Sequence, residues 1–301
     1  MAISISVATE FWGEYPIFGW IMITGIQSQI LTEQLGGEVA LWDSAHWRAA
    51  YASHRNPWKE SPNEDAVAIF QCDETSGVFA VADGCGGMRG GETAARIALE
   101  CLEEALANNT SARLRPAILD GMEQADEAIR NLRIGAACTL AIVEWQNGVV
   151  RPYHVGDAKI VIMGGMGRIR YQSICHSPVG FAVESGWLQE EDAMHHADRH
   201  LVSNVVGCSR MRIEIGPAIR LGMRDTVLIA SDGLFDNVSI EEGVGLLRKG
   251  SLEESTTRLI QLVSERMSGD FEGACKPDDL SLIAMRPKSS AHVPLDAIRP
   301  R

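Results

Sequence analysis

Apolar runs of strand length come in groups along this chain, and stretches of helical periodicity come in pairs. Residues 66–70 and 78–82 flank the polar turn 73–77 and read as two strands. Two amphipathic helices follow. Ala94, Ile97, Cys101 and Ala105 recur at helical spacing, then Ile118, Met122, Ala125, Ile129 and Leu132, with Pro116 near the second start. Residues 139–145 and 149–155 flank Gln146-Asn147-Gly148, and Asn-Gly between apolar runs is a hairpin signal. Residues 159–163 and 168–171 extend the meander, 185–195 read as a short helix, and 225–231 as a buried strand. Ser239-x-x-Glu242 and Ser251-x-x-Glu254 are capping boxes that open two helices, and 280–285 form a closing strand. This grouping argues against one-for-one βα alternation. The expected class is α+β, antiparallel sheets with helices layered outside.

The ends of these strands carry the chemistry. Residues 78–82 lead into Asp83-Gly84-Cys85-Gly86-Gly87, 153–155 into Gly156-Asp157, and 227–231 into Asp232-Gly233. Asp278-Asp279 opens the closing strand, and Asn63-Glu64-Asp65 precedes residues 66–70. Carboxylates far apart in sequence but all placed at strand ends form a set of hard oxygen donors. Mg²⁺ and Mn²⁺ require such a set.

Composition narrows the classes. The net charge of -13 disfavours partners that need a basic surface, so neither nucleic acid nor an anionic membrane is expected. Seven scattered cysteines without a Cys-x-x-Cys pair fit a reducing compartment, and the expected location is cytoplasmic. Residues 1–40 hold four glutamates and no lysine or arginine, unlike a secretory signal, and the apolar stretch 17–23 is too short to span a bilayer. Three units are expected: an N-terminal extension of unassigned role with Phe11, Trp12, Tyr15, Phe18 and Trp20 (1–40), one domain (41–287) and a loose tail (288–301).

The ordered set Asn63-Glu64-Asp65, Asp83-Gly84-Cys85-Gly86-Gly87, Gly156-Asp157-Ala158-Lys159, Ser231-Asp232-Gly233-Leu234-Phe235-Asp236 and Asp278-Asp279-Leu280-Ser281 resembles the metal-dependent serine/threonine protein phosphatases of the PP2C (PPM) family, as a divergent member of the bacterial type. Short motifs recur by chance, but five in register are specific. The resemblance implies a layered sandwich of two antiparallel β-sheets flanked by α-helices. It also implies two or three Mg²⁺ or Mn²⁺ ions and phosphate-ester hydrolysis by a water activated between two cations. On the same ground Asp83 is the bridging carboxylate, Gly84 lends its carbonyl, and Asp232 and Asp278 complete one shell. Glu64 or Asp65 supports the second ion, and Asp157 lies at a third, weaker position. Asp279 is the alternative to Asp278 in a shifted register. The implied partner is a phosphoprotein made by a serine/threonine kinase, and residues 177–207 are similar to the flap of bacterial members.

Three features depart from that pattern. Glu60 stands where many members keep a phosphate-holding arginine, leaving Arg55 and Lys59 as candidate phosphate ligands, with Arg55 preferred for its planar fork. Ala158-Lys159 replaces Ser-Arg, and Ala137-Cys138-Thr139 replaces Gly-Thr-Thr. Two other readings follow: a pseudophosphatase that binds a phosphoprotein or kinase without turnover, and a small-molecule phosphatase with the same metals. Residues 84–91 lack a Gly-Lys-Ser/Thr ending and so are not a nucleotide loop; Gly86 and Gly87 are expected to let the chain turn tightly at the metal. Cys85 is expected to be a packed small residue, and His195, His196 and His200 to be solvated.

Overall fold

A computed structural model describes residues 22–23, 26–33, 38–85, 90–268 and 275–289. The aromatics of residues 11–20, the turn at Gly86-Gly87 and the tail from 290 lie outside the described residues. In chain order the first strands are β1 (Met22–Ile23), β2 (Ile26–Leu31), β3 (Ala40–Asp43), β4 (Trp47–His54), β5 (Asp65–Gln71) and β6 (Ser76–Gly84). Helices α1 (Gly91–Ala107) and α2 (Arg115–Asn131) precede the meander β7 (Cys138–Gln146), β8 (Val149–Val155), β9 (Lys159–Met163) and β10 (Ile169–Gln172). Two short helices, α3 (Pro178–Glu184) and α4 (Glu190–Ala193), lead to β11 (Glu214–Ile215), β12 (Ile219–Arg220) and β13 (Thr226–Ala230). The chain closes with α5 (Asp232–Phe235), α6 (Ile240–Leu247), α7 (Leu252–Met267) and β14 (Leu280–Pro287).

The strands form two wholly antiparallel sheets. One runs β1-β2-β5-β6-β7-β8-β11, with β12 also paired to β8; the other runs β10-β9-β13-β14-β4-β3. Segments upstream of residue 41 take part, since β2 pairs with β5 along Gln27–Leu31. Alternation along each strand sorts side chains between two buried faces. Val67, Ile69, Phe79 and Val81 meet Ile160, Ile162, Val227 and Ile229 between the sheets. Their neighbours Ala66, Ala68, Ala80 and Ala82 pack beneath α1 and α2. On the far side Leu228, Ala230, Leu282 and Ala284 pack beneath α6 and α7. Burial on both faces is why these strands read as continuous apolar runs instead of alternating ones. The result is a helix–sheet–sheet–helix stack, in agreement with the α+β sandwich.

Local signals act as their chemistry dictates. Asn147 (φ 52°) and Gly148 (φ 77°) make the left-handed pair that closes the β7–β8 hairpin. Ser239 and Glu242 form a reciprocal capping box, and Ser251 accepts from the Glu254 amide. Of the helix expected at 185–195 only α4 forms, and α3 lies before that span. Ser177 caps α3 through the Gly180 amide with Pro178 in the first turn, and Gly186 at φ 74° stops it before α4 begins at Glu190. Among the described residues no helix is long and apolar enough to cross a membrane.

Candidate metal centre

Antiparallel register gathers the acidic strand ends along one edge of the sandwich. In the first sheet Asp65 stands directly opposite Asp83, which in turn faces Thr139 on β7. On the same edge β8 ends at Val155, and Gly156 at φ 102° turns the chain so that Asp157 follows. In the second sheet Ala230 pairs with Leu282, so Asp232 after β13 and Asp278 before β14 emerge side by side. Glu64, Asp65, Asp83, Asp157, Asp232 and Asp278 therefore line one cavity of about 440 Å³. Two glycines permit the approach. A Cβ on Gly84 would meet the Gly91 backbone at 2.4 Å, and one on Gly233 would meet the Asp279 carbonyl oxygen at 1.9 Å.

Crowded carboxylates resist ionisation. Burial, then the charges of Asp65, Asp232, Asp157 and Asp278, hold the Asp83 carboxyl well above the usual range. Burial and Asp278 do the same to Asp232, with Lys276 opposing. Burial pushes Asp65 up to about 8, and Asp157 up to about 6. Asp65 Oδ2 and Thr139 Oγ1 are buried there without a hydrogen-bond partner. An unpartnered buried carboxylate oxygen among like charges is costly unless a cation is added. The donor set therefore suits a hard divalent cation.

Two lysines already supply positive charge. Lys276 Nζ lies 2.7 Å from Asp278, 3.2 Å from Asp232 and 3.3 Å from Asp236. Lys59 Nζ lies 2.5 Å from Glu64 and 2.8 Å from Asp279. Burial works against both ammonium groups, yet their carboxylate partners raise both pKa values. Lys276 escaped the sequence reading; its one signal was a cation two residues before Asp278. Asp279 is buried and also accepts from the Asn56 and Glu64 amides, both at 2.8 Å, while Asp278 is half-buried, accepts from the Asp279 amide at 2.9 Å and pairs with Lys276.

The remaining candidates scatter. Arg55 does not reach the acidic cavity; its guanidinium lies 3.6 Å from Glu33. Glu60 is exposed, while Lys59 beside it turns inward. Cys85 lines the cavity, but burial, with Asp157 and Asp232, pushes its thiol up to about 12, which keeps it protonated. His195, His196 and His200 are exposed, although His200 reaches the cavity rim.

A second cluster lies beneath the Asp157 turn. His154, His176 and Glu214 bring one ligand atom each within 4.8 Å of one another. His176 Nδ1 accepts from the Gly156 amide at 3.0 Å and lies 2.8 Å from Asn204 Nδ2. The Asn204 amide is oriented by Arg212, its Nδ2 donating to the carbonyl and its Oδ1 accepting from the N–H. The proton of neutral His176 is therefore on Nε2, directed at Glu214 3.2 Å away. That nitrogen has no lone pair for a metal.

A sequence profile described as "Protein phosphatase 2C" matches residues 52–268. A serine/threonine phosphatase stp of Listeria welshimeri is 25% identical over 204 residues, covering 64% of this chain and 80% of the relative. The solved serine/threonine phosphatase of S. agalactiae superposes with a TM-score of 0.70 at 22% identity, over 80% of this chain and 100% of that one. The catalytic domain of the phosphatase PstP, solved with two manganese ions, gives 0.64 at 22% identity over 80% and 98%.

Proposed function

The chain belongs to the protein phosphatase 2C family, and on that premise we propose that it hydrolyses phosphoserine and phosphothreonine in proteins with the help of Mg²⁺ or Mn²⁺. The observation that carries this reading is the meeting of Asp65, Asp83, Asp157, Asp232 and Asp278 in one cavity with an unpartnered Asp65 oxygen. Asp83, the Gly84 carbonyl, Asp232 and Asp278 would hold the cations, with Glu64 or Asp65 on the second side and Asp157 at a third position. When bound, these ions supply Lewis-acid charge neutralisation and a water acidic enough to attack phosphorus at neutral pH. The chain's own contribution is to fix the carboxylates at rigid strand ends, so that little reorganisation is needed. Lys59 and Lys276, both directed into the acidic edge, are the cations placed to face a phosphate; Arg55 is turned elsewhere. This supports turnover in spite of Glu60, whose side chain is outside.

The substrate would be a phosphoprotein made by a serine/threonine kinase, and the free cysteines suit a cytoplasmic setting. The test is turnover of p-nitrophenyl phosphate and of a phosphothreonine peptide with Mn²⁺, against chelated protein. Metal-dependent release of phosphate from both is expected. Absence of any turnover sinks the enzyme reading and leaves a binding protein. Faster hydrolysis of free phosphoserine or sugar phosphates than of peptide would redirect it to small molecules.

A further inference from the structure

The sandwich has a second charged end, of opposite sign. Strand β9 leaves the Asp157 turn at Lys159 and reaches Met163, which pairs with Thr226 at the start of β13. That is a rise on the order of 13 Å away from the acidic edge. Three segments meet there: the β9–β10 turn, the approach to β13 and the end of α6. Residues 164–170, 220–225 and 246–250 hold Arg168, Arg170, Arg220, Arg224, Arg248 and Lys249, against one carboxylate, Asp225. These segments carry +5 within a chain of -13, so the remaining residues carry -18. Contacts hold the segments together. The Gly167 N–H donates to the Gly164 carbonyl at 2.8 Å, and the Gly164 N–H to the Arg168 carbonyl at 2.9 Å. A Cβ on Gly165 would lie 2.4 Å from Arg224 Cβ, and one on Gly167, at φ 86°, 3.1 Å from Arg248 Cδ. Both arginine stems thus lie across glycines that leave them room. Asp225 is committed to Arg170 and the Gly222 amide, and the neighbouring Glu254 lies at Gly250 with the Arg258 guanidinium. Arg168, Arg224, Arg248 and Lys249 are exposed and make no ion pair among the described residues. Met166, 92% exposed, tops the turn, and Ile169 and Met223 are exposed in the same segments.

Charge complementarity names the occupant. Guanidinium forks pair with carboxylates by two-point contacts, and an exposed methionine adapts its shape to an apolar neighbour. An anionic bilayer or a nucleic acid presents its charge over a wide front, which the -18 of the remaining residues repels. A short acidic stretch of polypeptide covers the basic end alone. We propose that this end is a docking surface for an acidic segment of a partner protein, with an apolar side chain set among its carboxylates. The surface is separate from the candidate metal centre, leaves that cavity open, and does not depend on the phosphatase reading.

The probe is a short fluorescein-labelled peptide of glutamate and aspartate with leucines at its centre, titrated with the full chain by fluorescence anisotropy. It is expected to bind at least about tenfold more tightly than the same peptide with lysine in place of its acids, and to weaken as salt is added. Exchanging its leucines for serine should cost about threefold to tenfold. Arg224→Glu and Arg248→Glu should each weaken it by about tenfold while leaving thermal unfolding unchanged. Arg224→Gln and Arg248→Gln keep the test decisive if the reversed variants fail to fold. Met166→Ser should remove the advantage of leucine over serine and leave binding of the serine peptide as it was. Equal binding of the lysine peptide, or binding that every arginine variant leaves intact, overturns the proposal. Tighter binding to single-stranded DNA, or to vesicles of phosphatidylcholine and phosphatidylserine, makes the occupant an extended polyanion and overturns it too. So does self-association of the wild type that Arg224→Glu abolishes, since the occupant is then a second copy of this chain.

Discussion

Two clusters of metal-ligand residue types sit on either side of the Gly156-Asp157 turn, and their chemistry is opposite. At the sheet edge, carboxylates face one another with like charge, and one buried oxygen has no partner. Below the turn, His154, His176 and Glu214 are closer to a compact ligand triad. Here His154 donates Nε2–H to the Ile174 carbonyl, which leaves its buried Nδ1 with a lone pair and no partner, burial lowers its pKa, and His176 has both nitrogens engaged. Residue types alone would favour the histidines. The difference lies in charge and number: Asp65, Asp83, Asp157, Asp232, Asp278 and Glu64 gather hard oxygen donors at the edge, whereas the histidine cluster has one unpartnered lone pair, His154 Nδ1, among the described residues.

The largest effect separating the two clusters is expected from Asp232→Asn. Mn²⁺-dependent turnover should fall by roughly a thousandfold, with loss of Mn²⁺ binding by calorimetry. Glu214→Gln should leave the Mn²⁺ stoichiometry unchanged. Equal losses from both substitutions would erase the distinction.

Proton linkage sharpens it further. Asp65 and Asp157 have pKa values raised to about 8 and about 6, so the folded chain binds more protons than the unfolded one above about pH 4. Without metal, stability is therefore full at low pH and is lost as pH rises toward 8. A fall on the order of 2 kcal/mol, or about 5 °C in Tm, is expected between pH 5.5 and 8 in chelated protein. Saturating Mn²⁺ should flatten the slope, because bound cations favour the ionised carboxylates. A Tm that rises with pH in chelated protein would contradict the crowded edge.

His176→Phe should cost about 1–2 kcal/mol in thermal unfolding, since it strips the acceptor from the Gly156 amide. Metal stoichiometry should not change. The smallest effect is expected from Lys276→Gln: without the resident ammonium, Mn²⁺ should bind about fivefold more tightly, while chelated protein loses about 1 kcal/mol. Weaker Mn²⁺ binding in this variant would show that Lys276 assists the cation instead of competing with it.

Much of this was legible in the chain. Continuous apolar runs, the Asn147-Gly148 turn and the serine caps each reported a local preference, and the matching elements formed. The helix expected at 185–195 failed because Ser177-Pro178 starts a helix earlier and Gly186 ends it, two local signals that a periodicity reading passed over. Lys276 was missed because nothing local distinguishes it from a solvated lysine. Its role comes from Asp232 and Asp236, some forty residues away.

The sequence by itself determined which strand ends carry acid and that helices would cover antiparallel sheets, because periodicity and turn chemistry are local. Only the tertiary structure set neighbours apart: Lys59 inward and Glu60 outward, Asp279 buried on the Asn56 and Glu64 amides and Asp278 paired with Lys276. Adjacent side chains point in different directions, and strand register and loop path, fixed by contacts more than two hundred residues apart, choose which of them faces the centre.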